Sequence, residues 1–230
     1  PLTDAWRIGG WTLDHGHALE RWLPRREYQA GHPEWFSEGQ PILWWTPEPR
    51  MVLPVADFHL SHSLRKTIAR FRRTPGCEIR IDSAFDRVIE GCAHTPRAGQ
   101  GGTWIVPAMQ QAYRLWHQHG TVHSFETWVD GELVGGLYGI NLGRMFFGES
   151  MFAWRTDASK LALAALVCFC RANQIDVIDC QQRTGHLASL GGHTWPREQF
   201  EAHLKQVVDL EAPHDWTYHD QLWSYLTASP

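Results

Sequence analysis

Asp179 and Gln181 stand two residues apart in Val177-Ile178-Asp179-Cys180-Gln181. On an extended strand both side chains point to one face, which sets an acceptor carboxylate beside an amide. Open α/β sheets collect their ligands at the carboxyl ends of strands, where this pair falls. A second polar group breaks an apolar run: Glu149 in Phe146-Phe147-Gly148-Glu149-Ser150-Met151-Phe152. An unpaired carboxylate in such surroundings is costly, so Glu149 must face water, a partner or a ligand, or else sit on an edge strand. The neighbouring Phe and Met side chains are suited to line an apolar pocket. Ser189 and His186 follow in Gly185–Gly191, but no GxSxG elbow supports a serine hydrolase.

Two further stretches suit nucleic acid. Leu60–Gly76 carries Arg65, Lys66, Arg70, Arg72 and Arg73 with no acidic residue between Asp57 and Glu78. That run is either a solvated helix face or a contact for a phosphate backbone. Trp45 and Trp104 sit beside Pro and Gly rather than in amphipathic helices, and indoles so placed can stack a base or simply pack.

The elements that position these residues read as follows. Leu60–Arg73 is a helix and Glu78–Asp82 a strand. Ser83 is suited to cap a helix over Ala84–Cys92. Pro107 fits the first turn of a helix to His119. Asp130-Gly131 is a hairpin turn between strands Val122–Val129 and Glu132–Ile140, and Arg144–Phe152 extends the meander. Thr156 or Asp157 caps a helix to Ala172, Val177–Cys180 is a strand parallel to Arg144–Phe152, and Pro196–Val208 is a helix. Residues 1–58, rich in Trp, Pro and Gly, read as a small irregular domain with a helix over Ala18–Tyr28 and a short strand centred on Ile42–Trp45. Residues 59–230 form the larger domain. Strands mixed with helices around an antiparallel meander give an α+β, or mixed α/β, fold.

Composition narrows the function classes. The 230 residues carry 21 Lys and Arg against 25 Asp and Glu, a net charge of −4, so a globally basic nucleic-acid binder is excluded and a local patch is not. At 43% hydrophobic and 20% charged the chain is an ordinary globular one. Five cysteines without a CxxC pair speak against a disulfide scaffold or a cysteine-rich zinc site and for reduced, buried thiols. Fourteen histidines include close pairs such as His59/His62 and His117/His119, but no HExxH or His–carboxylate set, so no metal is expected. The longest apolar stretch, Leu161–Cys170, is too short to span a bilayer. No signal-peptide pattern opens the chain, and a cytoplasmic protein is expected. Thirteen tryptophans are in excess of need and mean aromatic packing, stacking surfaces, or both.

Taken together these stretches resemble the bacterial leucyl/phenylalanyl-tRNA–protein transferases. The matching blocks are Trp35–Trp45, Val88–Ala93, Gly102–Ile105, Leu133–Gly139, Phe147–Phe152, Asp157–Lys160, Ile178–Gln181 and His186–Gly191, in family order and spacing. Residues 1–34 match poorly, and Ala153-Trp154 stands where the family usually has Ser-Arg. The resemblance implies a small N-terminal domain before a GNAT-like acyltransferase domain. It implies transfer of Leu or Phe, and Met more weakly, from aminoacyl-tRNA to proteins beginning with Arg or Lys, feeding N-end-rule degradation. It implies no cofactor, no membrane partner and a monomeric enzyme. By the same resemblance Asp179 and Gln181 assist the reaction. Trp45 and Trp104 flank the terminal adenosine of the tRNA. Leu137 and Phe146, with Met151 nearby, wall the aminoacyl side-chain pocket. Glu149, with Ser150 beside it, contacts the substrate end, and the Leu60–Arg73 helix bears the tRNA.

Two other classes share some of these features. An acetyl-CoA-dependent acetyltransferase would have the fold, but Gln182-Arg183-Thr184-Gly185-His186-Leu187 ends in Leu187, where the pyrophosphate cradle needs a small residue. A non-catalytic RNA-binding module explains the basic helix and the tryptophans, but neither Asp179-Cys180-Gln181 nor an apolar pocket.

Overall fold

Asp130 and Gly131 both take positive φ, 53° and 78°, as a tight hairpin turn between right-twisted strands requires. Around that turn the chain builds its sheet. The computed structural model describes residues 5–6 and 44–45 by their backbone, and residues 47–95 and 105–226. Strands β1 (Ala5–Trp6) and β2 (Trp44–Trp45) form an antiparallel pair. Then follow β3 (Arg50–Pro54), α1 (His62–Arg73), β4 (Cys77–Ile81), α2 (Phe85–His94) and α3 (Pro107–Gln118). The meander is β5 (Val122–Val129), β6 (Glu132–Leu142) and β7 (Met145–Ala153). The chain continues through α4 (Ala158–Ala172), β8 (Val177–Gln181), α5 (Gly185–Ser189), β9 (His193–Trp195) and α6 (Arg197–Val207), and ends in a 3-10 segment, Asp220–Leu226.

The main sheet has seven strands in the order β4-β5-β6-β7-β8-β3-β9. All neighbours are antiparallel except β7 and β8. This is the mixed α/β architecture expected from the sequence, with its parallel step across α4. The expected strand over Ile42–Trp45 is represented by β2, and the helix over Ala18–Tyr28 lies outside the described residues. Residues 50–54, inside the segment assigned to a small N-terminal domain, run through the main sheet as β3 between β8 and β9.

Each sheet face has its own core. Val52, Tyr138, Phe147, Phe152 and Val177 pack with α2, α3 and α6 on one face. Leu53, Phe125, Leu137, Phe146 and Ile178 pack with α1 and α4 on the other. Helix α4 is buried from Leu161 to Cys170 because it is covered twice, by the sheet and by the C-terminal segment, which explains its unbroken apolar run. Arg171 fastens that segment: its guanidinium donates to the carbonyls of Tyr225 at 2.8 Å and Leu226 at 3.0 Å, and to that of Val55.

The helix starts partly correct the sequence expectations. Ser61 caps α1, its hydroxyl accepting from the Leu64 amide at 3.2 Å. Ser83 does not cap α2. Its hydroxyl donates to Glu126, and the buried Glu126 carboxylate itself accepts the Ala84 amide at 2.8 Å, a cap supplied from the neighbouring strand β5. Asp157 occupies the cap position of α4 in a left-handed conformation (φ 64°) that turns its carboxylate away from the first-turn amides. The carboxylate instead accepts from Lys160 at 2.8 Å and from the Thr67 hydroxyl at 3.4 Å, tying α1 to the start of α4.

Candidate active site at the bulges of strands seven and eight

Two β-bulges shape the place where β7 and β8 meet. On β7, Gly139 pairs with Gly148 and Tyr138 with Ser150, leaving Glu149 as the extra residue. The bulge reverses the alternation of sides. Phe147 and Phe152, an odd number of positions apart, therefore lie in the same core. On β8, Val52 pairs with Asp179 and Met51 with Gln181, leaving Cys180 as the extra residue. The strand expected over Val177–Cys180 thus runs on to Gln181 but with a bulge at Cys180, and Gln181 takes φ 60°, a left-handed conformation uncommon outside glycine. Burial, with Asp179 beside it, pushes the Cys180 thiol well above its usual range, so Cys180 offers no thiolate at neutral pH.

Asp179 is fully buried and meets Arg50 of β3, 1% exposed. Arg50 Nε donates to Oδ1 at 2.9 Å and Nη2 to Oδ2 at 2.5 Å, a two-pronged, charge-assisted contact. The Phe200 ring of α6 closes over the guanidinium at 4.8 Å. Oδ1 of Asp179 also accepts the Gln181 backbone N–H at 2.9 Å, which braces the left-handed turn. The Gln181 side chain then reaches across to β7. Its Nε2 donates to Glu149 Oε2 at 3.0 Å, and the Tyr113 hydroxyl of α3 donates to the same oxygen at 3.1 Å. A carboxylate only accepts, so the amide nitrogen, not its oxygen, faces Glu149. Main-chain register between β7 and β8 covers Phe146 with Ile178 and Phe147 with Asp179. Gly148 permits that approach, since a Cβ there would lie 3.1 Å from the Asp179 carbonyl oxygen. Beyond it the Gln181–Glu149 hydrogen bond joins the strands side chain to side chain.

The other residues singled out in the sequence distribute around this link. Ser150 is half-buried and adjoins Glu149. Leu137 pairs with Met151 across β6 and β7. Leu137 and Phe146 are buried on the α4 face of the sheet, where Phe146 meets Phe125 edge-on at 6.2 Å, and Met151 is half-buried beside them. The sheet therefore separates this apolar group from Tyr113 and Arg50, which lie on the opposite face with α3 and α6. Arg65, Lys66, Arg70, Arg72 and Arg73 are all exposed on α1. Lys66, Arg70 and Arg73 cluster within about 60° on the side opposite the buried Leu64, Ile68 and Phe71. Arg72 lies aside from them and pairs with Asp220 at 2.9 Å. Trp45 is described by its backbone in β2, and Trp104 lies outside the described residues. Among the described residues no group of three or more His, Cys, Asp or Glu side chains is gathered as a metal site would require.

Comparison with known proteins shows the family. The family model for leucyl/phenylalanyl-tRNA protein transferase matches residues 52–205. The chain belongs to this family. A leucyl/phenylalanyl-tRNA–protein transferase of Methylibium petroleiphilum is 64% identical to it over 206 residues, covering 88% of this chain and 78% of the relative. One of Leptothrix cholodnii is 63% identical over 202 residues, covering 88% and 79%. One of Bordetella bronchiseptica is 59% identical over 213 residues, covering 90% and 84%. In this member of the transferase family the sequence reading missed two residues of the polar cluster. Tyr113 falls with Met109 and Ala112 on the apolar stripe of α3, and its only signal is that a buried hydroxyl needs a partner. Arg50 follows Pro47-Glu48-Pro49, a stretch that reads as a turn and hides the strand beginning there.

Proposed function

We propose that the chain transfers Leu or Phe, and Met more weakly, from aminoacyl-tRNA to proteins beginning with Arg or Lys, marking them for N-end-rule degradation. The observation that carries this reading is the Gln181–Glu149 link, braced by Asp179 and Tyr113 at the carboxyl end of β8. It supplies an amide donor and a carboxylate side by side where β7 and β8 meet, while Leu137, Phe146 and Met151 lie on the other face of the sheet.

The reaction needs alignment more than activation. The acceptor α-amine has a reference pKa of about 7.7–8.0, so a useful fraction is neutral near pH 7. Its nitrogen attacks the carbonyl carbon of the aminoacyl ester, and a tetrahedral oxyanion forms. The bond to the ribose oxygen of the terminal adenosine then breaks, and the proton lost by the amine ends on that oxygen. An amide carries two N–H donors, and the one not aimed at Glu149 is the donor for the oxyanion. Glu149, with Ser150, receives the cationic acceptor end. Asp179 acts by holding Gln181, because Arg50 and the Gln181 amide already engage its oxygens. Leu137, Phe146 and Met151 shape the apolar side-chain pocket. One methylene in such a pocket is worth about 1–3 kcal/mol, so leakage to Met is expected. Trp45 and Trp104 flank the adenosine, and the exposed face of α1 takes the tRNA backbone. The reaction so written uses no metal or organic cofactor.

We also infer a monomeric, cytoplasmic enzyme, as the family resemblance implies; no helix among the described residues is long and apolar enough to cross a membrane. Incubation with radiolabelled Leu-tRNA and a peptide beginning with Arg tests the function. Label on the peptide as an added N-terminal Leu is the expected result. Hydrolysis of Leu-tRNA without peptide product would overturn it.

A further inference from the structure

We infer that Arg50 is a positioning residue of the transfer step, acting through Asp179 on Gln181. The inference rests on the transferase reading above and adds a residue to its site.

Four hydrogen bonds form a chain from β3 to the donor amide of Gln181 and on to Glu149. Arg50 holds both oxygens of Asp179, Asp179 Oδ1 holds the backbone N–H of Gln181, and the Gln181 amide reaches Glu149 Oε2. The middle of this chain carries a strained conformation. Gln181 at φ 60° has left the strand, and the bond from its own N–H to Asp179 is the side-chain contact that holds it there. Asp179 can serve only if its carboxylate keeps one orientation, and the two-pronged Arg50 contact fixes that orientation as a single-point charge would not. The β8 bulge at Cys180 lies between the two residues so connected, so a rotation of the Asp179 carboxylate would pass directly to the Gln181 backbone.

The pair has a poor claim to being there for stability. Arg50 and Asp179 are 1% and 0% exposed, and a buried ion pair of this kind recovers through its attraction about what desolvation takes away. Apolar residues of similar volume commonly replace such a pair without loss of stability. What they cannot replace is an acceptor at Oδ1 aimed at the Gln181 amide. Nor is Asp179 suited to take a proton from the acceptor amine, since Arg50 and the Gln181 N–H occupy its oxygens.

Three variants test the assignment in single-turnover transfer of Leu to an Arg-starting peptide, each with the equilibrium affinity for Leu-tRNA and the urea midpoint measured alongside. Arg50→Lys keeps the charge and loses the fork. Its transfer rate is expected to fall about 100-fold, with affinity for Leu-tRNA within about threefold of the parent, because misplacing an aligned group by about 1 Å has an effect of that size. Asp179→Asn is expected to show the same pattern. The double variant Arg50→Met/Asp179→Leu decides the question. Positioning predicts a parent-like urea midpoint and a transfer rate still about 100-fold down. Recovery of parent-like transfer in the double variant, or its failure to fold, would assign the pair to fold stability and overturn the inference. If the parent chain itself transfers no Leu, the transferase reading has failed instead, and the two failures are told apart by that first reaction.

Discussion

Gln181 on β8 and Glu149 on β7 are joined side chain to side chain, Nε2 to Oε2 at 3.0 Å, just past the point where the main chains of the two strands stop pairing. Both residues reach that point through a bulge, one in each strand. The site is therefore a local failure of sheet regularity, stabilised by hydrogen bonds to Asp179 and Tyr113 rather than by the ladder itself.

Glu149 should govern the acceptor and not the donor. A hydrogen bond to a charged group contributes about 1.5–3 kcal/mol. Glu149→Gln is therefore expected to raise KM for an Arg-starting peptide about tenfold or more, with little change in the affinity for Leu-tRNA. Steady-state kinetics with varied peptide check this; an unchanged peptide KM would remove Glu149 from the acceptor site.

The basic residues of α1 should not act alike. Lys66, Arg70 and Arg73 share the exposed side, whereas Arg72 is engaged by Asp220. Each phosphate that a side chain ceases to neutralise lowers the slope of log K against log salt by about 0.7–0.9. Charge reversal at Arg70 and Arg73 is expected to weaken tRNA binding and flatten that slope, and Arg72→Gln to leave it nearly as it was. Filter binding across a range of KCl concentrations measures both. Equal effects from the two sets would show that the helix contacts tRNA through no preferred side.

Glu126 should matter to the fold alone. Its carboxylate, 0% exposed, accepts from Ser83, the Ala84 amide, Ser124 and the Trp128 indole. Removing it strands several buried donors, each penalised by about 1–3 kcal/mol when unsatisfied. Glu126→Ala is expected to lower the unfolding free energy by about 3 kcal/mol in urea titration, while the folded fraction keeps the parent single-turnover rate. A loss below about 1 kcal/mol would contradict this account of the α2 start.

These cases also show where sequence reasoning worked and where it stopped. Short-range physics was legible: Asp130-Gly131 announced its turn, Pro107 its helix start, and the stretch to Ala172 its helix, whereas the double cover of Leu161–Cys170 was not foreseen. Long-range pairing was not. Ser83 has the side chain of a cap, yet a glutamate from β5, distant in sequence, does the capping. Asp179 and Gln181 were singled out by their type and position, but alternation could not foresee a bulge at Cys180 or the φ of Gln181. Arg50 comes from a part of the chain that reads as a turn, and only tertiary pairing of β3 with β8 brings it to Asp179.

Acid should weaken the fold through two histidines. Burial lowers His203 below its ordinary range, and burial with Lys160 nearby lowers His186. The unfolded chain, with His near pKa 6.5, then binds protons that the folded chain does not. Stability is expected to be flat above about pH 7 and to fall as pH drops through 6.5 toward the depressed folded values. Urea midpoints between about pH 5 and 7.5 follow this, and His203→Gln should flatten the slope. An unaltered slope in that variant would exclude His203 as a source.

The central claim is that the Gln181 amide is the group that promotes transfer. Its most direct measurement is the single-turnover rate of Leu transfer from saturating Leu-tRNA to an Arg-starting peptide, for the parent chain and for Gln181→Ala. Losing one oxyanion donor typically slows such chemistry about 10²–10³-fold, and that fall, with Leu-tRNA affinity retained, is the predicted result. Parent-like transfer by Gln181→Ala would contradict it.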